Sequence, residues 1–185
     1  WVTSPASRST RVERSLAIAA GGGGDGDPVF RLGLELLRRR GGWSGVLAAG
    51  PYAGDVVSAL SHELAGRLDV ARNLDGCPEL FSRAAAVIQM AGYNSTFEAL
   101  ASGLRPVLVP RRSPRREQAI RASRLAAWGL ADVVDEGAGA DEVDWLLDQT
   151  RELAPGQLQR AGILLDGAPF VARRLHALAA ARRAA

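Results

Sequence analysis

Six short, mostly apolar runs recur along the chain, at residues 15–20, 43–49, 68–72, 84–89, 106–110 and 131–134. Each is too short for a buried helix and has the length of a strand covered on both faces. The stretches between them follow helical spacing. Asp27 as N-cap with Pro28 at N1 predicts a helix over 29–38. Val56, Val57, Leu60 and Leu64 share one face of a helix over 53–66. Residues 78–83 predict a short helix. Asn94 and Ser95, good N-cap types, lead a helix over 96–102 that Gly103 stops. Ile120, Leu125, Ala126 and Trp128 are the apolar positions of the next helix, and Val143, Leu146 and Leu147 those of one opened by residues 137–141. Two further helical segments, 157–165 and 170–183, close the chain. Strands alternating with helices predict an α/β three-layer sandwich around a six-stranded parallel sheet. The expected strand order is 3-2-1-4-5-6, which makes the first and fourth strands central neighbours.

That order brings two loops together. After the first strand come Gly21, Gly22, Gly23, Gly24, Asp25 and Gly26; after the fourth come Gly92, Tyr93, Asn94 and Ser95. A glycine turn leading into a polar helix start aims free backbone N–H groups and the positive helix end at one point, which is an anion site. Loops of this kind meeting at the reversal of strand order point to a diphosphate held by main chain. Glu98, one turn into its helix, is placed to reach a sugar diol beside that phosphate. Asp25 repels an anion, so it is expected to turn outward or to bind loop amides.

Composition narrows the class. The 185 residues make one full domain, 47% hydrophobic, with no apolar run approaching a membrane span. Residues 1–13 are polar and read as the remnant of a linker from a preceding domain, 14–168 as the domain proper, and 169–185 as a C-terminal helix. Cys77 is the only cysteine, which excludes an internal disulfide and suits a reducing cytoplasm. A small buried thiol is the expected state of Cys77, and a core-edge or surface position that of His62. The net charge of +3 is carried by arginine, yet the few aromatics are not interleaved with it, so no nucleic-acid platform is expected. No His, Cys or carboxylate spacing suggests a metal, and neither a metal nor another cofactor is expected.

With these residues assembled, the chain resembles the C-terminal, donor-binding domain of GT-B glycosyltransferases. Gly92-Tyr-Asn-Ser-Thr-Phe-Glu98 is similar to the core of the plant secondary-product glycosyltransferase box. Gly103 and Pro110 keep that box's later spacing, and Glu117-Gln118 its closing acidic-Gln pair. The upstream glycine loop is more like that of the bacterial peptidoglycan N-acetylglucosaminyltransferase. The resemblance implies a Rossmann-like half of a GT-B fold and transfer of a sugar from a nucleotide diphosphate sugar, a UDP-sugar foremost, to an acceptor hydroxyl without a metal. Carried onto this sequence, it gives Gly22, Gly23, Gly24, Gly92, Asn94 and Ser95 to the diphosphate and Glu98 to the ribose. Asn73 and Leu74 fall to the base, Glu117 and Gln118 to the transferred sugar. Arg111, Arg112 and Arg115, in a loop longer than the plant box has, would offset the leaving diphosphate's charge. Met90 stands where the box has histidine, which removes one donor. The general base would belong to a missing N-terminal acceptor domain or partner chain, so this chain alone is expected to bind donor and transfer little. A non-catalytic nucleotide-sugar-binding subunit and half of a nucleotide-sugar epimerase are the alternatives. In the last segment Phe170, Val171, Leu175 and Leu178 are set against Arg173, Arg174, Arg182 and Arg183. It either packs on its own domain or, as the resemblance implies, crosses to the other; peripheral membrane docking through the arginines is a further option.

Overall fold

The computed structural model describes residues 11–20, 25–50, 57, 62–64, 66–72, 74, 76–149, 151–165 and 167–184. Six strands form the sheet: β1 (Ser15–Ala19), β2 (Ser44–Ala49), β3 (Leu68–Arg72), β4 (Ala86–Gln89), β5 (Val107–Leu108) and β6 (Asp132–Val133). All pairings are parallel and the order is β3-β2-β1-β4-β5-β6, the order expected from the sequence. Every strand therefore points its C-terminal end at the same edge. The helices are α1 (Asp27–Arg39), α2 (Pro78–Arg83), α3 (Tyr93–Ala101), α4 (Glu117–Ala127), α5 (Ala140–Leu147), α6 (Gln157–Arg160) and α7 (Gly167–Ala184). The helix expected over 53–66 lies largely outside the described residues; within it Val57 and Leu64 are buried, and His62–Leu64 form a 3-10 turn in which His62 is exposed.

Alternate strand residues feed opposite layers. Leu16 and Ile18 of β1 join Phe30, Leu34 and Leu37 of α1 and Val143 and Leu147 of α5 on one face. Ala17 and Ala19 turn to the other face, where Phe81 of α2 and Ala99 of α3 pack, and Leu100, Ala122 and Leu125 continue that layer under α4. Alanine at these positions leaves room for helices to approach the sheet closely.

Several local expectations are corrected. α1 begins at Asp27 with Gly26 as its N-cap, so Asp27 is a first-turn acid and not the cap. α3 begins at Tyr93 with Gly92 as N-cap, and Asn94 and Ser95 lie inside its first turn. The cause is the turn before it, where the Gly92 amide donates to the Met90 carbonyl at 2.8 Å and starts the helix early. The other end is as expected. Gly103, at φ +80°, donates to the Leu100 carbonyl and Leu104 to that of Ala99, a double closure that the left-handed glycine permits. The buried side of α4 is Gln118, Ala122 and Leu125, whereas Ile120, Ala126 and Trp128 are exposed. α6 is a single turn, shorter than the segment expected over 157–165.

At the ends, Arg11 donates to the Ser102 carbonyl and pairs with Glu152, and the Val12 amide donates to Arg83, so residues 11–12 are tied to the domain body. Residues 167–182 of α7 are exposed throughout, Phe170, Val171, Leu175 and Leu178 included, so this helix does not pack on its own domain. Nor are its sides cleanly divided. Phe170, Arg174, Leu178 and Arg182 follow one another at four-residue steps and share a face.

Candidate functional site

The site is built where β1, β4 and β5 end. Ala19 pairs with Gln89 and Gln89 with Leu108, so the loops leaving these three strands start side by side. Gly22, Gly23 and Gly24 lie outside the described residues, but Ala20 and Asp25 bracket them at this edge. The Met90 amide donates to the Ala19 carbonyl at 3.1 Å, tying the start of the second loop to the end of β1. Met90 itself is buried.

In α3 the first main-chain bond is made by the Thr96 amide, to the Gly92 carbonyl, and no side chain caps the helix. The amides of Tyr93, Asn94 and Ser95 precede it and have no acceptor within the helix. Asn94 is exposed and Ser95 half-buried beside Gly92. Gln89, wholly buried, donates from Nε2 to the Ser95 carbonyl at 3.3 Å and fastens this first turn to β4. Arg121 of α4 donates to the Ala91 carbonyl and lies 5.3 Å from the Tyr93 ring centroid, and the Phe97 ring packs at a tilt against that of Tyr93, 4.9 Å between centroids. Neither Gln89 nor Arg121 was marked by the sequence reading. A polar residue inside an apolar strand run was the available signal for the first, and the turn spacing Glu117–Arg121 for the second.

Glu98 is 8% exposed, and its Oε2 accepts the Cys77 amide at 2.9 Å. Gly76, at φ +99°, comes so close that an added Cβ would lie 2.9 Å from Oε1. The loop after β3 thus grips the carboxylate and fixes its direction. Cys77 is half-buried, less enclosed than expected. Burial, helped by the Glu98 charge, pushes its thiol from 9.0 to about 11, which keeps it protonated and inert at neutral pH. Asn73 lies outside the described residues. Leu74 is exposed and, with Gly76, lines one end of a cavity of about 620 Å³ that runs along β1–β3 beside α2, past Ala17, Val46 and Leu80. Only that end adjoins Glu98. The rest leads to Ser15 and Ser44, at the opposite edge of the sheet.

The β5–α4 loop brings the remaining residues. Gln118 is buried and its Oε1 accepts the Arg111 amide at 3.2 Å, folding the loop back on the helix. Glu117 stays at the surface, 3.4 Å from Arg111; its own helix-start amide and then Arg111 hold its carboxyl below the ordinary value. Asp25 is exposed, as one of the two sequence expectations had it, and the loop amides of residues 21–24 lie outside the described residues. It also bonds Arg111 Nη1 across 86 positions of chain. This contact, with Glu117, raises the Arg111 pKa. The three arginines fare differently. Arg111 sits between the two loops, Arg112 pairs with Asp135 in solvent, and Arg115 is exposed. Among the described residues no group of three or more His, Cys, Asp or Glu is placed to hold a metal ion, and no helix is long and apolar enough to cross a membrane.

Solved structures share the fold. The glycosyltransferase of kitacinnamycin superposes with a TM-score of 0.63 at 18% identity, over 88% of this chain and 43% of its own. The fold is that of one half of a GT-B glycosyltransferase. The spinosyn rhamnosyltransferase SpnG, complexed with thymidine diphosphate, matches this half with a TM-score of 0.59 at 19% identity, over 89% of this chain and 44% of its own. UGT71G1 of Medicago truncatula, complexed with UDP-glucose, gives 0.57 at 17%, over 82% and 36%. A UDP-GlcNAc 2-epimerase from Neisseria meningitidis has the half-fold too, at 0.50 and 16%, over 74% of this chain and 35% of its own. The chain thus spans less than half the length of the proteins it superposes on. No protein-family model and no curated protein matches the sequence.

Proposed function

We propose that the chain is the donor-binding half of a glycosyltransferase, which holds a nucleotide diphosphate sugar for transfer to an acceptor hydroxyl. The observation that carries this reading is the meeting of the β1–α1 and β5–α4 loops through Asp25 and Arg111, beside the uncapped start of α3. The amides of Tyr93, Asn94 and Ser95, with those of Gly22–24, receive the diphosphate, and the positive end of α3 favours its charge. Glu98, aimed by Cys77 and Gly76, takes the ribose hydroxyls. Gln118 has its Nε2 left for a sugar hydroxyl, with Glu117 beside it, and Leu74 flanks the base.

In the reaction the bond between the sugar's anomeric carbon and the diphosphate oxygen breaks, and the electron pair leaves with the diphosphate. The acceptor oxygen forms the new bond, and its proton passes to a base supplied from outside this chain. The residues here orient the donor and stabilise charge growing on the departing group, without a metal. The uncovered apolar positions of α7 fit a surface completed by the other half. Isolated chain supplied with UDP-glucose and a panel of hydroxyl acceptors is expected to turn over negligibly; sustained transfer would place the base on this chain.

Donor binding is tested by titration calorimetry with uridine and thymidine diphosphates, since the neighbours were solved with either nucleotide. Glu98→Ala should weaken the preferred nucleotide by about 1–3 kcal/mol, the range for leaving a polar partner unmatched. Undiminished affinity would remove Glu98 from the site. The epimerase reading, favoured by the shared half-fold, predicts interconversion of UDP-GlcNAc and its 2-epimer once the other half is supplied.

A further inference from the structure

The contact between the β1–α1 and β5–α4 loops places a carboxylate where the donor-binding reading places a diphosphate. The main chain that follows this carboxylate is closely packed. Gly26 follows Asp25 and lies so near the end of β1 that an added Cβ would fall 2.4 Å from the Ala20 Cβ and 3.1 Å from the Phe30 ring. Asp27 and Pro28 then start α1 at once. From this set turn Asp25 bonds Arg111 Nη1, while Glu117 stands 3.4 Å from Nη2 and Arg111 Nε is buried with no partner. One guanidinium thus faces two carboxylates. A diphosphate settling on the neighbouring amides is repelled by Asp25 and cannot gain fully from Arg111 while Asp25 holds it.

We infer that Asp25 sets the anion affinity of the site: its carboxylate occupies Arg111 as an internal counter-ion, and an incoming diphosphate must take its place. The inference rests on the donor-binding reading for the identity of the anion. An exchange of one anion for another leaves Arg111 paired before and after binding, so its net contribution in the natural chain is small. Without the Asp25 charge, the same arginine meets the ligand unpaired and contributes in full.

The test is a double-substitution cycle on the full chain, read by calorimetry with uridine diphosphate and, separately, inorganic pyrophosphate. Asp25→Asn should tighten binding about fivefold or more, a coupling of ordinary size between linked sites. Arg111→Gln should cost less than about threefold alone and about tenfold or more in the Asp25→Asn background. The gain from Asp25→Asn should shrink as salt rises, which a purely structural effect would not do. Unchanged or weaker binding by Asp25→Asn, or an equal Arg111→Gln loss in both backgrounds, overturns the inference. Should Asp25→Asn lower the urea midpoint, Asp25→Ser supplies the same charge removal. If only pyrophosphate responds and uridine diphosphate binds no variant, the inference stands and the donor-binding reading falls. If the natural chain binds uridine diphosphate and the substitutions change nothing, the reverse holds.

Discussion

Arginine crowds both edges of the sheet, and the two edges use it differently. At the edge where strands begin, arginines hold the chain together. Arg67, just before β3, sets one nitrogen 2.9–3.3 Å from the carbonyls of Leu37, Arg40, Gly41 and Trp43, at and beyond the end of α1, where the Arg40 carbonyl also accepts the Trp43 amide. Arg40 pairs with Asp144 and Asp148 and lies over the Trp43 ring. Arg105 and the buried Arg151 share Asp132 at the foot of β6. At the edge where strands end, Arg112, Arg115 and Arg116 are exposed, and Arg111 is poised between two loops. The same residue type is glue below and largely solvent-facing charge above. The difference lies in what surrounds each guanidinium.

That contrast can be broken by substitution. Asp132→Asn removes the carboxylate between two arginines and leaves Arg151 charged and buried. It should lower unfolding free energy by on the order of 3 kcal/mol, measured by urea denaturation, with nucleotide affinity untouched. A loss under about 1 kcal/mol would mean that water replaces the carboxylate and the edge is not held there. Arg67→Met should cost about 2 kcal/mol, because carbonyls at the α1 terminus lose their donor. At the other edge Arg112→Ala should stay within about 0.5 kcal/mol in stability, its pair with Asp135 lying in solvent. A large stability loss there would erase the distinction between the edges.

Much of the architecture was legible because it rests on periodicity. Six apolar runs separated by helical stretches mark the layers, the strand order follows the common order of such sheets, and Gly103 marks the close of α3. Helix starts were misread because Asn94 and Ser95 are capping types in any context, whereas the turn of Met90 onto Gly92 that begins α3 is a main-chain event. The apolar positions of α4 do not mark its buried side, since Ile120 and Trp128 are exposed. Gln118 and Ala122 go inside because an amide returns the loop's N–H bond and a small side chain fits the sheet. The bond that Asp25 makes could not be read, since its partner, Arg111, is distant in sequence and reached only through the fold. Glu98 was marked as a site residue, but its grip by Cys77 and Gly76 depends on the loop after β3 reaching under α3.

The sheet also narrows from one side to the other. β1 and β2 are paired over five residues, whereas β5 offers two rungs to β4 and two to β6, extended by the single bonds of Val109 to Gln89 and Val134 to Leu108. The loop with Arg111 and Gln118 therefore springs from a thinly laced strand, with two rungs on each side. On the proposed reading a donor bridging α3 and α4 would be an added cross-tie at this seam, and amide exchange in β5 and β6 is where its arrival should slow the protein's breathing most.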